Sequence, residues 1–261
     1  MGYTGTNMRY TFTLAQKAYE VGSEKELALI FDLLKDAGKT AETLHWEILM
    51  QLDWHLMEII KTYKGLLDCL QHLSDKNRFL LIIKIGDTLP DVVESAERLG
   101  NIIAGIPEEK NKVQLIKILR KKGLQRLIFS ARDLAYVIEW TYEESEKVLL
   151  ETLEPAFINQ IVTTAQHAYD VMRFITAHNK ALFVDMIGFG RLRALIQSPQ
   201  DLFFLLKMLP VEDARRFLDG LTRRELVGIV RTDKAFHEGL KSLALRKEKI
   251  LLDFLGLPPI E

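Results

Sequence analysis

Apolar residues recur along this chain at helical spacing, and the pattern repeats. Taking the first apolar residue of each unit as position 0 gives Leu56, Leu89, Leu124, Ile158, Leu192 and Leu226, spaced 33, 35, 34, 34 and 34 residues apart. Positions +3 and +4 form an apolar pair one turn further on: Ile59-Ile60, Val92-Val93, Leu127-Ile128, Ile161-Val162, Leu195-Ile196 and Ile229-Val230. This is the spacing of one helix face. A second stripe falls at +10 and +14, and a third between about +24 and +29, as in Leu80-Leu81-Ile82 and Ile250-Leu251-Leu252.

Position +6 holds a hydroxyl residue in every unit: Thr62, Ser95, Ser130, Thr164, Ser198 and Thr232. Hydroxyls at one phase before an apolar helix predict N-caps, whose side-chain oxygens accept from a first-turn backbone N–H. Pro199 after Ser198 agrees, because proline is favoured at the first helical position. Each unit therefore predicts three short helices, from about 0 to +5, +7 to +17 and +19 to +29. Helices this short need neighbours to bury their stripes, so stacking of units is the expected consequence. The fold class expected is all-α: an α-solenoid of six ~34-residue repeats over residues 56–255.

Before Leu56 the pattern degrades. Ser23-Glu24-Lys25-Glu26 has capping-box form and opens an amphipathic helix through Leu27, Ile30, Phe31 and Leu34 that ends near Gly38; a second helix carries Leu44, Ile48, Leu49 and Leu52. Residues 9–55 are expected to be a helical cap and residues 1–8 a flexible leader. Met1-Gly2-Tyr3-Thr4-Gly5-Thr6 fits the loose myristoylation pattern, but the bulky Tyr3 argues against it. Residues 256–261 are expected to be a tail or the start of a truncated seventh repeat, since adding 34 to Leu226 reaches Ile260.

The repeat period equals that of tetratricopeptide repeats, though their signature positions are not matched, and a three-helix unit resembles armadillo repeats in outline. Leu205-Leu206-Lys207-Met208-Leu209-Pro210 followed by Ala214-Arg215-Arg216-Phe217-Leu218 resembles the Leu-rich helical repeats of effector proteins that intracellular bacterial pathogens secrete into host cells. That resemblance implies a protein that recognises a host protein or another effector.

Composition narrows the function. Hydrophobic residues are 48% and charged residues 27% of the chain, with a formal net charge of -1, so nucleic-acid binding would need a local basic patch. Cys69 is the single cysteine, expected as a small buried residue in a reducing, cytoplasmic setting, or in a host cytosol if the chain is secreted. No apolar run is long enough to span a membrane. No zincin, CxxC or nucleophile-elbow pattern occurs; the histidines, His45, His55, His167 and His178 among them, are expected on helix faces, and Gly188-Phe189-Gly190 as a helix stop. No metal or organic cofactor is expected.

Charge is segregated, however. Lys110, Lys112, Lys117, Arg120, Lys121, Lys122, Arg126 and Arg132 run without an acidic residue between them, and Glu139, Glu143, Glu144, Glu146, Glu151 and Glu154 follow. Segregation of this kind suits a complementary docking face. The expected function is therefore a non-enzymatic protein–protein interaction module, with the basic strip and Glu139, Glu143 and Glu144 as candidate contacts. The alternatives are a nucleic-acid-binding repeat protein using residues 110–132 and an enzyme whose site is assembled across repeats.

Overall fold

The computed structural model describes residues 8–37, 39–230 and 233–257. The chain is mostly helical with one small two-stranded sheet, and it divides into two compact units, residues 1–127 and 128–261. Among the described residues no helix is long and apolar enough to cross a membrane.

Unit 1 opens with a feature the apolar pattern does not predict. Strands β1 (Tyr10–Leu14) and β2 (Lys17–Val21) pair antiparallel, with Tyr10 opposite Val21 and Leu14 opposite Lys17. The cap is thus not wholly helical. The two-residue turn has φ of 47° at Ala15 and 67° at Gln16, the left-handed pair that tight hairpins require and that glycine or asparagine usually supplies. With alanine and glutamine there, the usual signal is missing. Phe12, Leu14 and Val21 are buried, and Gln51 of the second helix clasps the Thr13 backbone through N–H to Oε1 (2.8 Å) and Nε2 to carbonyl (2.9 Å).

Eight α-helices follow among the described residues of this unit: α1 (Glu24–Leu34), α2 (Lys39–Leu52), α3 (Leu56–Ile59), α4 (Tyr63–Leu70), α5 (Asp75–Lys84), α6 (Leu89–Val93), α7 (Ala96–Ala104) and α8 (Glu109–Gln125). Helix α1 packs on α4 and α2 on α5, so Phe31, Ile48 and Leu49 join Leu66 and Leu81 in one core. The Ser23 hydroxyl accepts from Glu26 N–H, but the Glu26 carboxylate closes on Gly22 N–H rather than on the cap itself (2.8 Å). Glu24 reaches across to the next helix: its carboxylate accepts from the Lys61 and Thr62 N–H groups (2.9 and 3.1 Å) and the Thr62 hydroxyl (2.6 Å). Gly65 makes room for it, because a Cβ there would lie 2.0 Å from the Glu24 carboxyl carbon.

Unit 2 holds α9 (Ala131–Ile138), α10 (Glu143–Ile161), α11 (Ala165–Met172), α12 (Lys180–Ile187), α13 (Phe189–Ala194), α14 (Pro199–Met208), α15 (Val211–Asp219), α16 (Arg223–Ile229), α17 (Asp233–Lys241) and α18 (Leu245–Leu255). Helices α9, α11, α14 and α17 pack in chain order, each on the next, while α10 packs on α12 and α15 on α18. Phe183, Phe217, Leu134 and Leu202 lie at the centre of this unit's core.

The +6 hydroxyls cap as their phase predicts. Thr62, Ser95, Ser130, Thr164 and Ser198 each precede a helix and accept from the N–H three residues on; Thr232 lies outside the described residues. Alanine at any of the five costs about 0.5–2 kcal/mol. Of the first helices, α3 and α6 begin at Leu56 and Leu89 as expected, and those carrying Leu124, Ile158, Leu192 and Leu226 begin earlier. Both α8 and α10 contain a break, at Arg120 (φ 54°, ψ 174°) and Glu154 (φ 66°, ψ 153°), and Gly188 between α12 and α13 has nearly the same backbone (φ 81°, ψ 141°). These joints lie four residues before Leu124, Ile158 and Leu192, so the helix carrying position 0 begins three residues earlier than its apolar pattern implies.

A second polar column joins the third helices. Position +21 is Asn77 and Asn179 in two repeats, both buried. Asn77 Nδ2 donates to the Glu42 carbonyl on α2 (2.8 Å), and Asn179 Nδ2 to the Glu143 carbonyl on α10 (2.7 Å). Each ties one helix to the start of the helix it packs against.

Candidate partner-binding groove

Helices α9 and α11 pack on each other, and each buries two small residues, Ala131 and Ala135 on one and Ala165 and Ala168 on the other. What remains outside forms a groove of about 530 Å³. From α9 come Arg132, Tyr136 and Glu139, spaced so that they share one face. From α11 and its C-terminal end come Gln166, His167, Asp170, Arg173 and Phe174. The two sets occupy the same repeat phases: Arg132 and Gln166 at +8, Tyr136 and Asp170 at +12, Glu139 and Arg173 at +15.

Two arginine–aromatic pairs stiffen this surface. The Arg132 guanidinium lies 5.4 Å from the Tyr136 ring centre and donates to the Tyr136 hydroxyl (3.0 Å); that of Arg173 lies 4.6 Å from the Phe174 ring centre. Gln166 Nε2 donates to Asp170 (2.8 Å). Two guanidinium groups and two carboxylates give the groove a balanced charge, and the two rings give it apolar area.

Of the residues singled out from the sequence, Arg132 and Glu139 line this groove. Glu143 and Glu144 are exposed in the first turn of α10. The rest of the basic strip belongs to unit 1. There Lys112 is only 3% exposed, and burial holds its ammonium below the usual lysine pKa against the pull of Glu109; it is not a docking charge. Lys110 pairs with Glu108 (2.8 Å) and Arg126 with Asp91, whose hydrogen bond raises the guanidinium pKa further. Lys117 is exposed and Lys121 half-buried on α8. Arg120, Lys122 and Arg126 line a polar cleft of about 240 Å³ opposite Asp87 and Pro90.

Glu146, one of the acidic run after Arg132, is fully buried: it accepts from the Thr176 N–H (3.1 Å) and hydroxyl (2.9 Å). Burial raises its carboxyl pKa, with the Thr176 and Asn179 hydrogen bonds opposing and the Glu143 charge adding. Cys69 is buried as expected, and burial pushes its thiol up to about 12. Among the described residues no group of three histidine, cysteine, aspartate or glutamate side chains is placed to hold a metal ion.

The sequence reading passed over Asp170, Arg173 and Phe174. For Asp170 and Arg173 the signal is available in the sequence register, because the phases of Tyr136 and Glu139 carry them 34 residues later; Phe174 falls at the phase of Trp140. Charge runs were the weaker guide, since a run of consecutive lysines necessarily spreads around a helix. No protein-family model matches this chain, no curated protein aligns with it, and no solved structure matches its fold.

Proposed function

We propose that this chain is a non-enzymatic protein-binding module, an α-solenoid of six repeats, and that a protein partner docks in the groove between α9 and α11. The observation that carries the reading is the groove's composition: two arginines held against aromatic rings, with acidic residues beside them, contributed by two adjacent helices. Arginine and aromatic side chains are enriched where proteins recognise proteins. The repeat architecture is supported by the common +6 caps and by the in-order packing of α9, α11, α14 and α17. Following the resemblance of residues 205–218 to secreted bacterial effectors, the partner is a host protein or another effector, met in a reducing cytosol.

The test is affinity capture with the full chain, a groove variant carrying Tyr136→Ala and Arg173→Glu, and a strip variant carrying Lys117→Glu, Lys121→Glu and Lys122→Glu. A stoichiometric protein retained by the wild type and the strip variant, but weakened roughly tenfold or more by the groove variant, is the expected result. Equal retention by a folded groove variant rejects this placement. Recovery of RNA or DNA that the strip variant loses rejects a protein partner.

A further inference from the structure

The N-terminal ends of α9, α11 and α14 are built to one plan, with one substitution. In α9, Asp133 turns back so that its Oδ2 accepts from the Phe129 N–H (3.0 Å) and the Ser130 hydroxyl (2.8 Å). In α14, Asp201 Oδ2 does the same with the Gln197 N–H (3.1 Å) and the Ser198 hydroxyl (2.8 Å). The matching position in α11 is His167. Its Nδ1 lies 3.5 Å from the Thr163 N–H and 3.2 Å from the Thr163 hydroxyl, while its own N–H donates to the Thr164 cap (3.1 Å). An N–H pointing at Nδ1 requires a lone pair there, so the ring carries its proton on Nε2.

We infer that His167 makes the start of α11 proton-sensitive where its sister helices are not. A carboxylate at this position accepts across the whole neutral and mildly acidic range. An imidazole accepts only while one nitrogen is bare, and histidine as a residue type is the usual source of a charge change between pH 5 and 8. A proton on Nδ1 turns the acceptor into a donor, which the Thr163 hydroxyl oxygen can accept but which faces the Thr163 N–H donor to donor. It also places a cation where the partial positive charge of the helix end opposes it. Mild acid therefore frees the Thr163 N–H and loosens the first turn of α11.

The charged groups around the ring are Arg132 and Glu139 across the groove on α9, with Asp133 held in the α9 cap, and Asp170 and Arg173 on its own helix. On α14, the other helix packed on α11, they are Asp201, held in its own cap, and Lys207 in the last turn. With the groove's carboxylates and guanidinium groups in balance, protonation of His167 leaves it one charge positive. The effect of that charge on a docked protein rests on the proposed function; the cap does not, so the test uses the free protein.

Backbone amide exchange and ring ¹⁵N shifts are measured by NMR on the full chain at about pH 7.5 and about pH 5.5. Wild type and His167→Asp are compared, with His167→Asn as a second non-titrating acceptor should the first misfold. The expected result is an unprotonated Nδ1 at the higher pH. On acidification, Thr163 protection falls by roughly two- to tenfold, corrected for intrinsic exchange, while Phe129 and Gln197 and both variants hold theirs. A proton on Nδ1 at the higher pH overturns the inference, as does parallel loss at Thr163, Phe129 and Gln197.

Discussion

Single residues in this chain do work that their apolar neighbours cannot, and Arg120 illustrates the strain involved. Its φ of 54° with ψ of 174° is a backbone region that glycine alone enters without penalty, and Gly188 occupies the matching joint two repeats later. Arg120 is exposed, so its side chain brings little burial in compensation. Replacing it with glycine relieves the strain at the smaller cost of a more flexible unfolded chain. Arg120→Gly is expected to raise stability by about 1 kcal/mol in urea unfolding. A variant less stable than wild type would show that the arginine side chain contributes more than its backbone forfeits.

Between helices, the asparagines at +21 act as ties. Asn179 gives its amide to the Glu143 carbonyl, in an environment where an unmatched carbonyl is expensive. Asn179→Ala is expected to cost about 1–3 kcal/mol, measured as a lower urea midpoint with unchanged slope. A matching loss at Asn77 would identify the tie as a property of the repeat; a loss below about 0.5 kcal/mol at both would show water replacing it. These residues mark how far the sequence was legible. The second helices start at +7 wherever they are described, because the hydroxyl caps and the apolar stripe agree. Two first helices start where the apolar pattern puts them, at Leu56 and Leu89, whereas those carrying Leu124 and Ile158 start three residues earlier, after backbone reversals at Arg120 and Glu154, of which only the second is marked by a following proline. The hairpin was missed because its turn, Ala15-Gln16, lacks the usual glycine or asparagine. The groove was half legible: Arg132 and Glu139 were found through charge, whereas Lys112 was misassigned because a long aliphatic stem can be buried along with its charge.

At the scale of the molecule, a formal charge of -1 leaves little self-repulsion, so the pH response rests on a few buried groups. In unit 1, burial depresses the His45 pKa, with the hydrogen bond to the Phe31 carbonyl (3.1 Å) opposing and the His72 charge adding. Stability from that site is intact above the unfolded imidazole value of about 6.5 and is lost as the pH falls through the depressed folded value. Glu146 in unit 2 has the opposite sign. Its raised pKa means that its contribution is full below the unfolded carboxyl value of about 4.3 and declines as the pH rises through the folded one. Glu146→Gln keeps an acceptor for Thr176 without the charge. It is expected to melt about 2 °C higher than wild type near neutrality, with the gap closing toward pH ~4.5. A lower melting temperature at neutral pH would mean that the carboxylate's hydrogen bonds outweigh its burial. A sequence whose apolar pattern recurs can also let a helix settle on the wrong partner. The fit of Glu24 against Gly65 guards α1 against this. At the same phase of the sequence period stand Arg98, Asp133, His167 and Asp201, none of them a glycine. The missing side chain at residue 65 therefore works as an address: it admits the Glu24 carboxylate of the first helix at a place where any larger residue would turn it away.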